Sequence, residues 1–146
     1  NDISYREHSQ LLGLENVILS SAVRILTESL GINPNRNAVI QNMWFNLNRY
    51  KDYNEVHEHS RCLLSGCYYI SCPEECGDIV FLRDMTESSI YSSYDLTIHT
   101  PLTRGNVAYT PQEGLLLFFN PFTPHLVRPN LSQEDRISIA FNIGIR

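Results

Sequence analysis

Apolar side chains recur at three- and four-residue steps along the first part of the chain: Leu14, Val17, Ile18, Ala22, Ile25 and Leu26. That spacing predicts an amphipathic helix with one packing stripe. Ser4 and Glu7 have capping-box spacing ahead of it, the Ser accepting from the backbone N–H at the Glu position. Gly13 is expected to separate a short helix from this longer one. Gly31 and then Pro34 end the helical part, Gly as a left-handed cap and Pro as a stop. The stripe is most simply a face packed on a sheet, and it carries no assigned chemistry.

From Ala38 the period changes to two. Asn42, Trp44, Asn46 and Asn48 alternate with Met43, Phe45 and Leu47. One face of this strand is therefore apolar, and the other carries amides and the only Trp. Leu63 to Ser71 and Ile79 to Leu82 read as further strands. A polar stretch from Arg83 to Arg104 reads as a long loop with room for one short strand. Val107 to Thr110 and Leu115 to Phe119 are strands split by the turn Pro111-Gln112-Glu113-Gly114. A second turn, Asn120 to Pro124, leads into His125-Leu126-Val127-Arg128. The last strand is the clearest. Arg136, Ser138, Ala140 and Asn142 share one face; Ile137, Ile139, Phe141 and Ile143 share the other. The apolar face packs on the core, so the polar face must meet water or a polar ligand. Many short strands with turns between them predict a mainly β antiparallel sandwich or barrel, here with a polar interior pocket.

At 146 residues the chain fits one domain, 1–146, with a helical part over 1–34 and a β core over 38–146. The formal net charge of −5 disfavours a general nucleic-acid binder, which needs a basic face. No apolar run approaches a membrane span, and no leader pattern opens the chain at Asn1, so a cytoplasmic protein is expected. Cys62, Cys67, Cys72 and Cys76 are separated by four, four and three residues. Structural zinc sites use tighter pairs, so these read as small buried hydrophobes in a reducing compartment.

Chemistry concentrates in the histidines. His57 and His59 are two apart in an expected strand, so both project to one face. His125 opens a later strand and can complete a triangle of ligands. Three protein ligands on one face of an octahedron leave three positions open, which is the logic of non-haem iron oxygenases. The bland alternative is a solvated pair beside Glu55 and Glu58. Eleven positions after His125 comes Arg136, with Ser138 on the same face. A guanidinium gives two parallel hydrogen bonds to a carboxylate, and a serine can add a third. The alternative is a surface arginine paired with Glu134 or Asp135. His99 sits in the long loop and is expected to be solvent-exposed; His8 has no role.

These residues carry a resemblance. The stretches Trp44-Phe45-Asn46, Tyr53 to His59, Leu64 to Ile70, Pro111 to Gly114, Pro124-His125 and Arg136 to Asn142 together resemble the 2-oxoglutarate- and Fe(II)-dependent oxygenases, small relatives of the prolyl hydroxylases. The resemblance runs from about Met43 to the C-terminus. It implies a double-stranded β-helix, a jelly-roll or cupin-like barrel with the N-terminal α-helices packed on one sheet. It implies that His57 and His125 are iron ligands and that Arg136 binds the distal carboxylate of 2-oxoglutarate. One position departs from the wider pattern: most members have Asp or Glu where His59 stands. Either His59 is itself the ligand, or a carboxylate such as Asp52 or Asp84 reaches in, or the site is metal-poor and inactive. The first is preferred.

The resulting expectation is a dioxygenase using Fe(II), 2-oxoglutarate and O2 to hydroxylate an unknown substrate, with release of succinate and CO2. Catalytic and metal-binding residues are His57, His59 and His125. Arg136, Ser138, Asn142 and Tyr68, or its neighbour Tyr69, would hold the co-substrate. Asn42, Trp44, Asn46 and Asn54 would line the substrate pocket. Two competitors stand beside it: a three-His cupin-type dioxygenase without 2-oxoglutarate, and a jelly-roll binding module without catalysis. The substrate could be a small molecule or a protein side chain, and the Trp44 strand with its exposed aromatics could support a homodimer.

Overall fold

The structure, a computed structural model, describes residues 9–83, 97–98 and 105–146. The capping pair Ser4 and Glu7, His8, Asp84, His99 and most of the expected long loop lie outside the described residues. Helix α1 covers Ser9–Glu28. The strands are β1 (Ala38–Asn48), β2 (Asn54–His57), β3 (Leu64–Ser71), β4 (Ile79–Phe81), β5 (Val107–Tyr109), β6 (Leu116–Phe119), β7 (His125–Val127) and β8 (Arg136–Ile145). They form two four-stranded sheets in the orders β1-β8-β3-β6 and β2-β7-β4-β5, with antiparallel pairing throughout. The strand pattern predicts an antiparallel β sandwich or barrel, and the order of these sheets is that of the jelly roll implied by the family resemblance. Among the described residues no helix is long and apolar enough to cross a membrane.

Helix α1 runs straight through Gly13, so the expected break there is absent. A single exposed glycine costs a helix only about 1 kcal/mol, and the apolar stripe continues on both sides of it. The stripe is also rotated from the one expected. Ile18, Ala22 and Leu26 are buried with Leu11, Leu14, Leu19 and Ile25 packed around them, whereas Val17 is exposed. Gly31 has the expected positive φ, +65°.

The helix covers the outer face of the first sheet, where it meets Ile40, Met43, Leu64, Ile139, Phe141 and Ile143. Each of these buried side chains contributes up to roughly 1.5–3 kcal/mol of apolar burial. Gly66 is required under Phe141: a Cβ there would run into the Phe141 ring and the Leu117 carbonyl oxygen. The cover stops short of the end of β1, so Phe45 and Leu47 remain exposed although they alternate with Met43. The inner face of the same sheet carries Trp44, Asn46 and Asn48, register partners of Ala140, Ser138 and Arg136. A second apolar cluster, Cys67, Tyr69 and Ile79 with Phe81, Leu117 and Phe119, joins the two sheets.

Asn130 ties the loop before β8 to the end of β1. It is fully buried. Its Nδ2 donates to the carbonyls of Asn48 (2.9 Å) and Glu134 (2.8 Å), and its Oδ1 accepts from the Ser132 N–H. Asn130→Ala would strand several buried polar groups, each worth about 1–3 kcal/mol. The expected loss is about 3 kcal/mol of unfolding free energy, measured by urea denaturation. A loss below about 1 kcal/mol would contradict this anchoring role.

Candidate metal centre and anion pocket

β2 ends at His57 and β7 begins at His125, and the two are register partners. His59 does not continue the strand, as the two-residue spacing suggested. It lies beyond the end of β2, where its N–H donates to the Pro121 carbonyl at 2.9 Å. That bond turns the chain so that His59 still joins the other two. One ligand nitrogen from each ring lies within 4.8 Å of the others.

The tautomers follow from the partners. His57 Nδ1 lies 2.7 Å from the Glu55 carbonyl oxygen and His125 Nδ1 2.9 Å from that of Thr123. His59 Nδ1 lies 2.9 Å from Asn142 Oδ1, which also accepts from Ser65 Oγ at 2.7 Å. Oxygens of this kind only accept, so each Nδ1 carries its proton and each Nε2 presents a lone pair. Two of those lone pairs face each other: His59 Nε2 and His125 Nε2 are 3.3 Å apart. Such an arrangement repels until a cation sits between the nitrogens. Among the described residues no carboxylate joins the cluster. Asp52 instead accepts from the Arg49 N–H in the turn after β1.

The surroundings hold the rings in place and keep those of His59 and His125 neutral. Trp44 stacks on His59 (centroids 5.9 Å apart), and Phe119 meets His125 edge-on at 4.8 Å. Burial lowers the pKa of His59, with the neighbouring His57 adding to the effect. Burial, then His57 and His59, bring His125 down to about 4, although the Thr123 carbonyl acts in the opposite sense. Neutral imidazole is the metal-binding form. The low value also sets the acid response of metal-free protein. Between about pH 6.5 and 4 the unfolded chain protonates His125 and the folded chain does not, so falling pH favours unfolding. Stability should therefore fall over that window, in part through His125. Denaturant midpoints at pH 7 and pH 4 should therefore converge in His125→Gln relative to the parent; an unchanged pH slope would refute the assignment.

At the other end of the cavity stands Arg136, the first residue of β8 and only 2% exposed. It is not the surface arginine of the alternative reading. Its Nη1 donates to the carbonyls of Cys76 and Gly77, each at 3.1 Å. Gly77 has φ +87°, and a Cβ on it would meet the carbonyls of Arg128 and Pro129, so only glycine lets this loop close under the guanidinium. Arg136 Nε has no partner, and among the described residues no carboxylate pairs with it. Burial pulls its pKa down, while Tyr69 and Cys76 act against this. A buried guanidinium without a counter-charge is costly, and an incoming carboxylate would relieve that cost. Among the described residues the nearby thiols form no further group with metal-ligand spacing. Burial pushes Cys67 up to about 11 and Cys72 up to about 12.

The cavity between these ends is lined by Trp44, Asn46 and Asn54, and by Arg136 and Ser138. Three expected residues are elsewhere. Tyr68 faces away from the cavity, and its neighbour Tyr69, 3% exposed, lines the wall instead. Asn142 stands behind His59 and does not line the cavity. Asn42 is exposed, next to a register shift at Ile40/Asn42. Asn48 and Cys67 line the wall without having been anticipated; the amide alternation along β1 was the signal available for Asn48.

The family model described as "Putative 2OG-Fe(II) oxygenase" matches residues 42–142. The chain belongs to the 2OG-Fe(II) oxygenase family. No curated protein matches it by sequence. Among solved structures, a Pseudomonas putida prolyl-4-hydroxylase is similar with a TM-score of 0.62 at 18% identity, over 91% of this chain and 64% of that one. HygX from Streptomyces hygroscopicus, with nickel and 2-oxoglutarate bound, gives 0.60 at 14%, over 92% and 66%. SnoK, an alpha-ketoglutarate-dependent carbocyclase of nogalamycin biosynthesis, gives 0.63 at 15%, over 95% and 60%. At these identities the likeness shows the fold alone, and the chain spans less than two-thirds of each of those proteins. As a 2OG-Fe(II) oxygenase the chain has Fe(II) and 2-oxoglutarate as its cofactors. The three converging lone pairs fit the first, and the unpaired guanidinium fits a carboxylate of the second.

Proposed function

We propose that His57, His59 and His125 hold one Fe(II), that Arg136 and Ser138 hold the distal carboxylate of 2-oxoglutarate, and that the enzyme hydroxylates a C–H bond of a small molecule or protein side chain. The observation that carries this reading is the buried, unpaired guanidinium of Arg136 in the same cavity as the imidazole cluster. A three-His dioxygenase working without 2-oxoglutarate would leave that charge without a purpose.

Bound Fe(II) supplies the redox chemistry in which O2 and 2-oxoglutarate become succinate and CO2, one oxygen atom passing to the substrate as hydroxyl. The chain's own part is geometry and exclusion of water. Three neutral ligands leave the full charge of the ion to be met by the keto-acid end of the co-substrate. Arg136 neutralises the opposite end, so the dianion is matched at both termini. Trp44, Phe119 and Phe81 pack against the imidazoles and keep water from their edges. Asn46 and Asn54 offer amide groups to whatever enters beside them.

The test is stoichiometric. With Fe(II) and 2-oxoglutarate, succinate should form in proportion to O2 consumed, slowly without substrate and faster with it. O2 uptake that leaves 2-oxoglutarate intact would favour the cupin-type alternative and end this proposal.

A further inference from the structure

Asn48 is the last residue of β1 and the register partner of Arg136. It is 6% exposed and lines the cavity. Its backbone carbonyl is held by the fully buried Asn130 at 2.9 Å, which fixes the residue and leaves the side-chain amide as its adjustable part. Its Nδ2 makes only a long bond, 3.4 Å, to Asn54 Oδ1. Its Oδ1 has no partner. Among the described residues, the buried side-chain polar atoms left without a partner are two: Asn48 Oδ1 and Arg136 Nε. They belong to residues directly opposite each other on neighbouring strands, and both residues face the same cavity.

Buried polar groups are rarely left unpaired, and an orphaned pair at one spot points to a missing ligand. Arg136 asks for an acceptor. Asn48 can supply either an acceptor or a donor, because its amide turns end over end without steric cost. A carboxylate only accepts. With the amide turned, Nδ2 faces the carboxylate, and Oδ1 faces Asn54, whose own amide can turn to donate to it. Both orphaned atoms are then satisfied with no backbone movement.

We propose that Asn48 is a second carboxylate-binding residue, donating Nδ2 to the distal carboxylate of 2-oxoglutarate beside Arg136. The proposal rests on the oxygenase reading above, in which Arg136 takes that carboxylate. It makes Asn48 a selector for keto acids that carry a second acid group.

The experiment is an anaerobic titration of Fe(II)-loaded protein with two keto acids. One is 2-oxoglutarate; the other is 2-oxobutanoate, which has the same keto-acid end and no distal carboxylate. Asn48→Ala should weaken 2-oxoglutarate about 10-fold to 100-fold, as expected for a hydrogen bond to a charged group, and leave 2-oxobutanoate unchanged. Asn48→Asp, nearly the same shape, should weaken 2-oxoglutarate further, because a carboxylate there repels the ligand and pairs with Arg136. Equal weakening of both keto acids in Asn48→Ala would assign Asn48 a merely structural role and overturn the proposal, as would no change in either. Parent protein that binds Fe(II) but no 2-oxoglutarate would bring down the oxygenase reading itself, and the Asn48 assignment with it.

Discussion

Arg136→Leu is expected to weaken 2-oxoglutarate binding by roughly 10²–10⁴-fold, while Fe(II) affinity stays within about threefold of the parent. The magnitude follows from burial. Arg136 is 2% exposed, so a bound carboxylate would meet it out of water. Removing one partner of a buried, hydrogen-bonded charge pair costs about 3–5 kcal/mol. The specificity follows from position. Arg136 reaches the Cys76 and Gly77 carbonyls, and the hydrogen bonds of the three histidines that could hold a metal run to other groups. Isothermal titration with each ligand separately would measure both quantities. Equal losses for metal and keto acid would mean that Arg136 holds the barrel together rather than the co-substrate.

His125→Ala should lower Fe(II) affinity by roughly 10³-fold and remove succinate formation altogether. Loss of an outer partner of a metal-binding histidine already costs 10–100-fold, and loss of the ligand itself must exceed that. His59→Ala is the more discriminating variant. Its Nε2 faces that of His125 at 3.3 Å, so its removal should match His125→Ala in both iron affinity and turnover. If a carboxylate from outside the described residues completed the site instead, His59→Ala would bind iron nearly as the parent does. Equilibrium dialysis of the variants against Fe(II) under anaerobic conditions separates these outcomes.

The parts of this molecule that could be read from sequence are those where one physical constraint acts alone. The final strand alternates cleanly because one face packs under α1 and the other faces a polar cavity, so Arg136 and Ser138 fell on the correct side. β3 is different. Ser65, Gly66 and Cys67 are all buried, because this strand is covered on both faces, and alternation then carries no signal to choose between Tyr68 and Tyr69. His59 was placed correctly in space for a wrong local reason. Two-residue spacing predicted a shared strand face, but a backbone bond to Pro121, 62 positions away, does the work.

The alternation of β8 points Arg136 into the interior pocket, but how deeply it is buried is not written in that pattern. The depth depends on Gly77 closing a loop against Arg128 and Pro129, a contact between distant segments that leaves no periodic trace. Asn142 shares a face with Arg136 and Ser138 and is expected on that ground to hold the co-substrate; its amide oxygen is taken by His59 and Ser65, so it stands behind the His59 ring and does not line the cavity. Helix α1 shows the limit of glycine as punctuation: at Gly13 the packing stripe on both sides outweighs the local preference.

The most direct measurement is an anaerobic absorbance titration of metal-free protein, first with Fe(II) and then with 2-oxoglutarate. A visible iron-to-keto-acid charge-transfer band should appear only when both are present and saturate at one Fe(II) and one 2-oxoglutarate per chain. Protein that binds Fe(II) yet gives no such band with excess 2-oxoglutarate would contradict a metal and a keto acid sharing this cavity.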